Sequence, residues 1–289
     1  PAMLTWRAFT LGSAALSAQF MRSSPVLAQI EAGAAGQITT LSDGYLSLPP
    51  EMVFGQMPQA ELAEILQRHG ADPGRYTPPC NAALYRDGEN TVLFDAGSGP
   101  GFMETAGTLP QSLEAAGLNA ADITHVVFTH AHPDHLWGIL DDFDDPLFPN
   151  ASFLMGREEW DYWWSPETAD TIGADRASFA AGAKRRMEVI EDRVERFEDG
   201  AEILPGIAAR AAFGHTPGHM AFEVRSGAGS VMIAGDAVAN AHVAFEHPEW
   251  RSGTDQDPDT AAAARTSLLD QMAAEKMRVI GFHLPGGGI

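Results

Sequence analysis

One short string of the sequence concentrates side chains that bind metal ions. Residues 129–135 read Thr-His-Ala-His-Pro-Asp-His, which places three imidazoles and one carboxylate within six positions. Both groups suit Zn²⁺ and similar divalent ions. His130 and His132 lie two positions apart on an extended segment, so they can converge on one ion. Asp134 and His135 lie on the following turn and can reach a second ion, so the string predicts a metal site.

Three later residues offer further ligands, each just after an apolar run that predicts a buried strand. His215 lies in the string Gly-His-Thr-Pro-Gly-His, Asp236 follows the run 231–234, and His283 follows the run 279–282. Ligands in α/β proteins collect at the ends of strands. We therefore expect these three side chains at the same site as the histidine-rich string.

The elements that must hold these residues follow from the spacing of apolar side chains. Strands are predicted at 81–85, 91–95, 123–129, 152–155, 207–213, 221–224, 231–234 and 279–282. Helices are predicted around 62–66 and at 113–116, 157–165, 171–191 and 257–277. An Asp-Gly pair at 43–44 predicts a β-hairpin within 37–48. Residues 30–289 are thus expected to form a single α/β domain, an αββα sandwich of two mixed β-sheets flanked by helices.

Composition excludes several classes of protein. The chain has 289 residues, and 39 acidic residues against 18 Lys and Arg give it a net charge of −21. This argues against a nucleic-acid partner, because such binding depends on basic side chains that displace counterions. The single cysteine, Cys80, rules out an intramolecular disulfide and a multi-cysteine zinc site. Beyond residue 30, no stretch of sequence is apolar enough to span a bilayer.

The first 29 residues have the pattern of an export signal. Arg7 precedes a mildly apolar segment rich in Ala and Ser, and the small-residue pattern at 26–28 predicts cleavage before Gln29. The segment resembles a twin-arginine signal, except that Trp6 occupies the place of the first arginine. We expect a periplasmic or secreted product; the alternative for residues 1–29 is an amphipathic N-terminal helix.

The order and flanks of the seven candidate ligands resemble those of the metallo-β-lactamase superfamily over about residues 37–289. This resemblance implies two divalent metal ions, with Zn²⁺ as the first expectation. It implies that one ion is held by His130, His132 and His215 and the other by Asp134, His135 and His283. Asp236 would bridge the two ions, which is chemically sensible because a carboxylate can neutralise two neighbouring dications.

Within the superfamily, the sequence resembles the methyl parathion hydrolase branch. The features that carry the likeness are residues 38–44, the Gly-His-Thr-Pro-Gly-His string and the ending His283-Leu284-Pro285. That branch contains dizinc organophosphate hydrolases, lactonases and arylesterases. The likeness implies that Phe102, Trp163 and Phe179 line the substrate pocket, although aromatic side chains serve equally well as core.

The implied activity is hydrolysis of an ester-type bond in a lactone, aryl ester or phosphotriester by a metal-activated hydroxide. Asp134 is expected to be catalytic, as the proton acceptor. Bacillus-type lactonases carry a tyrosine shortly after the bridging aspartate, whereas this chain has Asp236-Ala237-Val238-Ala239-Asn240. Help for an oxyanion must then come from metal or from another donor. The expected partner is a small-molecule ester or lactone, and a homodimer is left open.

Three alternatives stay open at the level of sequence. A mono-iron sulfur dioxygenase of the same superfamily shares the signature His-x-His-x-Asp-His. A glyoxalase II-like enzyme would hydrolyse a thioester instead. A metal-stabilised binding module would use the same ligands without catalysis, since one fold hosts many functions.

Overall fold

The computed structural model describes residues 29–32, 36–225 and 229–289. The expected export signal at residues 1–29 therefore lies outside the described residues, apart from Gln29, where the first strand begins. None of the helices in these ranges is long and apolar enough to cross a membrane.

The first sheet has seven strands in the same order as the chain. Its strands are β1 (Gln29–Ala32), β2 (Gly36–Tyr45), β3 (Pro79–Arg86), β4 (Thr91–Phe94), β5 (His125–Phe128), β6 (Ser152–Gly156) and β7 (Val194–Phe197). Strands β1 to β4 pair antiparallel, and β4 to β7 pair parallel. The sheet is therefore mixed, and the loops that follow β4, β5 and β6 leave it at the same edge.

The second sheet has five strands in the order β12-β11-β10-β9-β8. Its strands are β8 (Glu202–Leu204), β9 (Ile207–Ala211), β10 (Met220–Val224), β11 (Val231–Ile233) and β12 (Arg278–Ile280). Only β11 and β12 pair parallel. These two strands therefore end together, which brings the segments around residues 236 and 283 to one edge.

Nine α-helices cover the sheets in the described part of the chain. They are α1 (Pro50–Phe54), α2 (Gln59–Arg68), α3 (Leu109–Ala115), α4 (Pro133–Leu136), α5 (Arg157–Trp164), α6 (Thr168–Thr171), α7 (Ala177–Ile190), α8 (Val243–Glu246) and α9 (Pro258–Glu275). The sequence signals at the ends of α9 are the clearest. Asp257 caps it by accepting from the Thr260 amide at 3.1 Å, Pro258 takes the first turn, and Lys276 ends it at φ 53°.

The packing of β5 shows how the layers meet. Val126 and Phe128 face a core shared with the outer helices, whereas Val127 faces the core between the two sheets. Across that inner core, the rings of Phe94 and Phe222 lie 5.3 Å apart. A strand covered on both faces reads as a continuous apolar run. The predicted sandwich of two mixed sheets flanked by helices is confirmed.

Several local predictions were wrong. The chain does not turn back at 43–44: β2 runs through this pair with a bulge, and Gly44 has φ 98°. The side chain of Asp43 points inward and accepts from the amides of Ser98 at 2.8 Å and Leu109 at 2.9 Å. The Asp-Gly signal therefore marks a bulge that directs a buried carboxylate. The helix expected around 62–66 is confirmed as α2, but an unexpected helix, α1, precedes it, and the helix expected at 171–191 is divided into α6 and α7.

Candidate metal centre

The seven predicted ligands all lie where strands of the two sheets end. His130 and His132 occupy the loop after β5, and Asp134 and His135 belong to α4. The other three follow strands β9, β11 and β12 of the second sheet: His215, Asp236 and His283. All seven side chains are buried, with at most 8% of any residue exposed. The sheets thus bring residues more than 150 positions apart into one cluster.

The first triad consists of His130, His132 and His215. His130 Nε2 lies 3.0 Å from His132 Nδ1, which lies 2.9 Å from His215 Nε2. Nitrogens that bind a tetrahedral zinc ion at 2.0–2.1 Å are about 3.3 Å apart. The spacing of the three nitrogens therefore suits ligands that converge on one ion.

The second triad consists of Asp134, His135 and His283. Asp134 Oδ2 lies 3.4 Å from His135 Nε2 and 3.2 Å from His283 Nε2. Cys80 is a neighbour of this triad, because its sulfur lies within 4.8 Å of ligand atoms of Asp134 and His283. Burial raises the pKa of the Cys80 thiol to about 11, which favours the protonated thiol at neutral pH.

Asp236 lies between the two triads. Its Oδ2 is 3.3 Å from His215 Nε2 of the first triad and 3.3 Å from His283 Nε2 of the second. Its Oδ1 is 3.3 Å from His135 Nε2. One carboxylate thus faces ligands of both triads, which is the arrangement a bridging ligand requires.

Buried polar atoms without partners show that the cluster suits a metal. Within the described residues, Asp134 Oδ2, His135 Nε2 and Asp236 Oδ1 are buried and accept or donate no hydrogen bond. Such orphaned atoms are costly unless something else satisfies them. The chemistry of these oxygen and nitrogen donors fits Zn²⁺ or a similar divalent ion. The residues present therefore fit the metal centre that the sequence predicts.

Two histidines of the first triad differ in charge from the two histidines of the second. Burial lowers the pKa of His130 and of His132 well below its usual value, so both imidazoles are neutral. Burial alone would also lower the pKa of His135 and of His283, but the facing carboxylates outweigh it and hold both values well above the usual range. Burial alone would raise the pKa of Asp236, yet the facing imidazoles hold it well below its usual range.

Two carboxylates outside the predicted set orient ligands. Asp95 Oδ2 accepts from His135 Nδ1 at 2.8 Å, and Asp255 Oδ1 accepts from His215 Nδ1 at 2.9 Å. Arg265 in turn donates to Asp255 Oδ2 at 2.9 Å. Such partners set the tautomer and the ring orientation of a ligating histidine. Asp95 directly follows β4, so its place at a strand end was a signal in the sequence, whereas nothing in the sequence marks Asp255.

His219, the second histidine of the Gly-His-Thr-Pro-Gly-His string, supports the segment that carries Asp236. Burial lowers the pKa of His219 to about 3, which keeps the ring neutral. Its Nε2 accepts from the backbone amide of Asp236 at 3.0 Å. The ring therefore fixes the start of the segment that carries the bridging carboxylate.

A cavity opens onto the candidate metal centre. Phe102 and Phe179, two of the three aromatic residues expected at the pocket, line it; their rings lie 6.0 Å apart. Trp163 is only 1% exposed and lies outside the lining, with its ring against His132 at 5.7 Å. The sequence could not distinguish these places, because all three side chains are aromatic and partly or fully buried.

Two polar residues of the cavity wall were absent from the predictions. The hydroxyl of Tyr76 donates to the carbonyl of Ala239 at 3.0 Å, and Arg176 donates to the carbonyls of Gly253 and Thr254 at 3.0 and 3.1 Å. Both side chains line the cavity and are half-buried. No motif marks either residue in the sequence.

Comparison with known proteins agrees with this geometry. A model of the metallo-beta-lactamase superfamily matches residues 75–283, well over half of the chain. The chain belongs to the metallo-beta-lactamase superfamily. The match includes all seven candidate ligands and the strands that place them. The resemblance drawn from the sequence is therefore confirmed at the level of the superfamily.

Relatives in the superfamily include lactonases. The N-acyl homoserine lactonase AttM of Azorhizobium caulinodans is 30% identical over 129 residues, which are 44% of each chain. The matched region thus spans less than half the length of that lactonase. A probable metallo-hydrolase of Mycobacterium bovis is 26% identical over 229 residues, covering 71% of this chain and 70% of the relative.

Solved structures of the superfamily resemble the whole domain. AidC, described as a dizinc quorum-quenching lactonase in complex with a product, aligns with a TM-score of 0.83 at 28% identity. The alignment covers 91% of this chain and 92% of AidC. The hydrolase AbOPH aligns with a TM-score of 0.84, also at 28% identity, over 91% of both chains.

Proposed function

We propose that this protein is a dinuclear metal-dependent hydrolase of ester-type bonds, with lactones that carry an apolar acyl chain as the first candidate substrates. The observation that carries the proposal is the position of Asp236 between two complete triads. A centre for a single ion would leave one triad of buried donors unused. The names of the relatives support the choice of lactones, and aryl esters and phosphotriesters belong to the same proposal.

Two divalent ions held by these ligands would supply Lewis acidity and would lower the pKa of a water molecule towards 7. Asp134 Oδ2 lies 3.4 Å from His135 Nε2 and 3.2 Å from His283 Nε2 in the second triad. Burial alone would raise the pKa of Asp134, but these imidazoles hold it well below its usual range, so the carboxylate is ionised. We assign it the role of proton acceptor. Asp236 would set the distance between the two ions. His219 holds the backbone of Asp236 in place, and Asp95 holds the ring of His135.

The cavity suits an apolar substrate with a small polar head. The candidate ligands give the cavity a polar part, whereas most of its other lining side chains are apolar, among them Leu46, Leu48, Met52, Val53, Phe54, Met57, Phe102, Val243 and Trp250. Ligand pockets commonly combine such a wall with a few placed polar groups. An acyl chain would occupy the apolar part while the ester group lies at the metal centre.

The first test is elemental analysis of protein purified without added metal, followed by a substrate panel. The proposal expects two ions per chain, hydrolysis of lactones or aryl esters, and loss of activity on chelation. A fully active enzyme with one tightly bound iron would instead favour the sulfur dioxygenase. Thioester hydrolysis exceeding ester hydrolysis would favour the glyoxalase II-like alternative.

We also propose that residues 1–29 direct export, since Arg7 and the small residues at 26–28 have the pattern of a signal. Mass spectrometry of protein from its native host should find a mature chain that starts near Gln29 in the periplasm or medium. Recovery of residues 1–28 on the folded protein in the cytoplasm would contradict this. Light scattering on the same sample tests whether the protein forms a homodimer, which the sequence leaves open.

A further inference from the structure

Glu159, in the first turn of α5, is a fully buried carboxylate with four donors. Its Oε1 accepts from the Ala131 amide at 2.8 Å and from the Trp163 indole at 2.6 Å. Its Oε2 accepts from the Thr216 hydroxyl at 2.7 Å and from the Gly218 amide at 3.1 Å. The residue is 0% exposed. Each carboxylate oxygen therefore accepts two hydrogen bonds, all of them from neutral donors.

The donors belong to the two loops that carry the first triad. Ala131 lies between His130 and His132, and Thr216 directly follows His215. The two loops come from different sheets, after β5 and β9. Glu159 therefore joins the two loops that carry all three imidazoles, through hydrogen bonds to residues beside the ligands.

Two further contacts tighten the same arrangement. The Trp163 ring, whose indole donates to Glu159, packs edge to face against His132 with ring centres 5.7 Å apart. Gly218 approaches α5 so closely that a Cβ there would lie 2.0 Å from the amide nitrogen of Glu159. The loop after β9 can therefore approach α5 this closely only because position 218 is a glycine.

The location of Glu159 indicates a purpose beyond packing. Burying a carboxylate without a cationic partner is unfavourable unless hydrogen bonds offset it, and burial raises the pKa of Glu159 in spite of its four donors. An apolar side chain of similar size would avoid that cost but would leave four buried donors without an acceptor. A carboxylate, unlike an apolar group, fixes the direction of four donors at once.

We propose that Glu159 is the positioning residue of the first triad, holding the loops after β5 and β9 so that the three imidazole nitrogens stay assembled before metal binds. This inference rests on the proposed metal centre. Glutamine has the same shape as glutamate but carries an amide nitrogen that cannot accept. Glu159→Gln must therefore lose the two hydrogen bonds made to one carboxylate oxygen, because its amide nitrogen would face two groups that also donate.

The test is Co²⁺ binding to metal-free protein, measured by competition with a chelator and by the visible absorption of bound Co²⁺. Glu158→Gln is the matched control, because Glu158 is the exposed neighbour on the same helix. Loss of a residue that supports ligands typically weakens metal affinity about 10- to 100-fold. We expect that loss, with a changed Co²⁺ spectrum, for Glu159→Gln and unchanged binding for Glu158→Gln.

A lower melting temperature with wild-type Co²⁺ affinity and spectrum would show that Glu159 only stabilises the fold, and would overturn the inference. If wild-type protein binds no Co²⁺ at all, the proposed metal centre fails instead. Should Glu159→Gln not fold, Thr216→Val removes a single donor with little change in shape. It should weaken Co²⁺ binding by a smaller factor, and unchanged binding there would equally overturn the inference.

Discussion

The metal centre and the outer part of the cavity are built in opposite ways. At the centre, ligands leave the ends of strands and several are held by a second buried partner, as His135 is by Asp95. The outer wall, by contrast, comes from short helices and loops and is mostly apolar. We define this outer wall as Met52, Val53, Phe54, Met57, Phe102, Val243 and Trp250.

The packing of most of the outer wall separates it from the sandwich; Phe102 instead packs against the core cluster shared by the first sheet and its outer helices. Most of its side chains form a hydrophobic cluster of their own with residues of α2: Val53, Phe54, Met57, Leu62, Ile65, Leu66, Val243 and Trp250. Changes in this cluster can therefore reshape the cavity without disturbing the strands that place the ligands. The candidate ligands thus depend on the sheets for their placement, and we expect the segments laid over the sheets to govern substrate choice.

The largest effect is expected at the residue that faces both triads. Asp236→Ala would leave two cations without a shared anion, so metal content should fall and kcat/KM should drop by more than about 100-fold, beyond the loss of a supporting residue. Exposed Asp192 provides the control as Asp192→Ala. Normal turnover with two bound ions in Asp236→Ala would break the assignment of the centre.

The second prediction is that metal affinity depends more strongly on pH at the second triad than at His130 and His132 of the first. His135 and His283 have a raised pKa, so they are protonated at neutral pH in the metal-free protein and must lose their protons when a metal binds. Affinity at this triad should rise with pH by about tenfold per unit for each proton released, up to the raised pKa. His130 and His132, whose pKa is lowered, release none.

Calorimetric titration with Zn²⁺ in two buffers of different ionisation enthalpy counts these protons. His283→Gln should lower the count by one. A binding enthalpy that is identical in both buffers would contradict the charge difference between the triads.

A smaller effect is expected in the outer wall. Phe102→Ala removes apolar contact with a substrate, which should cost about 1–3 kcal/mol in kcat/KM for long-chain or aromatic substrates. Short aliphatic lactones should be affected little, and metal content should stay the same. Phe143, which is 85% exposed, provides the control as Phe143→Ala. Equal losses for short and long substrates would show that the outer wall does not govern selectivity.

The smallest effect is expected where the two regions meet. Tyr76→Phe removes the hydrogen bond to the Ala239 carbonyl, which should lower the free energy of unfolding by about 1 kcal/mol. Metal content and kcat should not change. Thermal unfolding and kinetics, with exposed Tyr45→Phe as control, check this. A tenfold lower kcat would instead mean that the Tyr76 hydroxyl acts on the substrate, so that Tyr76 belongs to the reacting centre and not only to the cavity wall.

The sequence predicted the inner region far better than the outer one. The string around His130 and the apolar runs before Asp236 and His283 are patterns of neighbouring residues. They can therefore be recognised without knowing how the two sheets pack. The αββα architecture followed from the same apolar runs. The hairpin at 43–44 was wrong because Asp-Gly also suits a bulge, where a positive φ at Gly44 directs the carboxylate of Asp43 inward.

What the sequence by itself determined is the identity of the seven candidate ligands and their order along the strands, because ligand chemistry resides in residue type. Only the tertiary structure decided which aromatic residues face the cavity, since Phe102 and Trp163 are equally apolar, yet Phe102 lines the cavity and Trp163 is buried outside its lining. It alone joined Glu159 to Ala131 and Thr216. Contacts between distant segments depend on how the two sheets pack, and no local spacing encodes that.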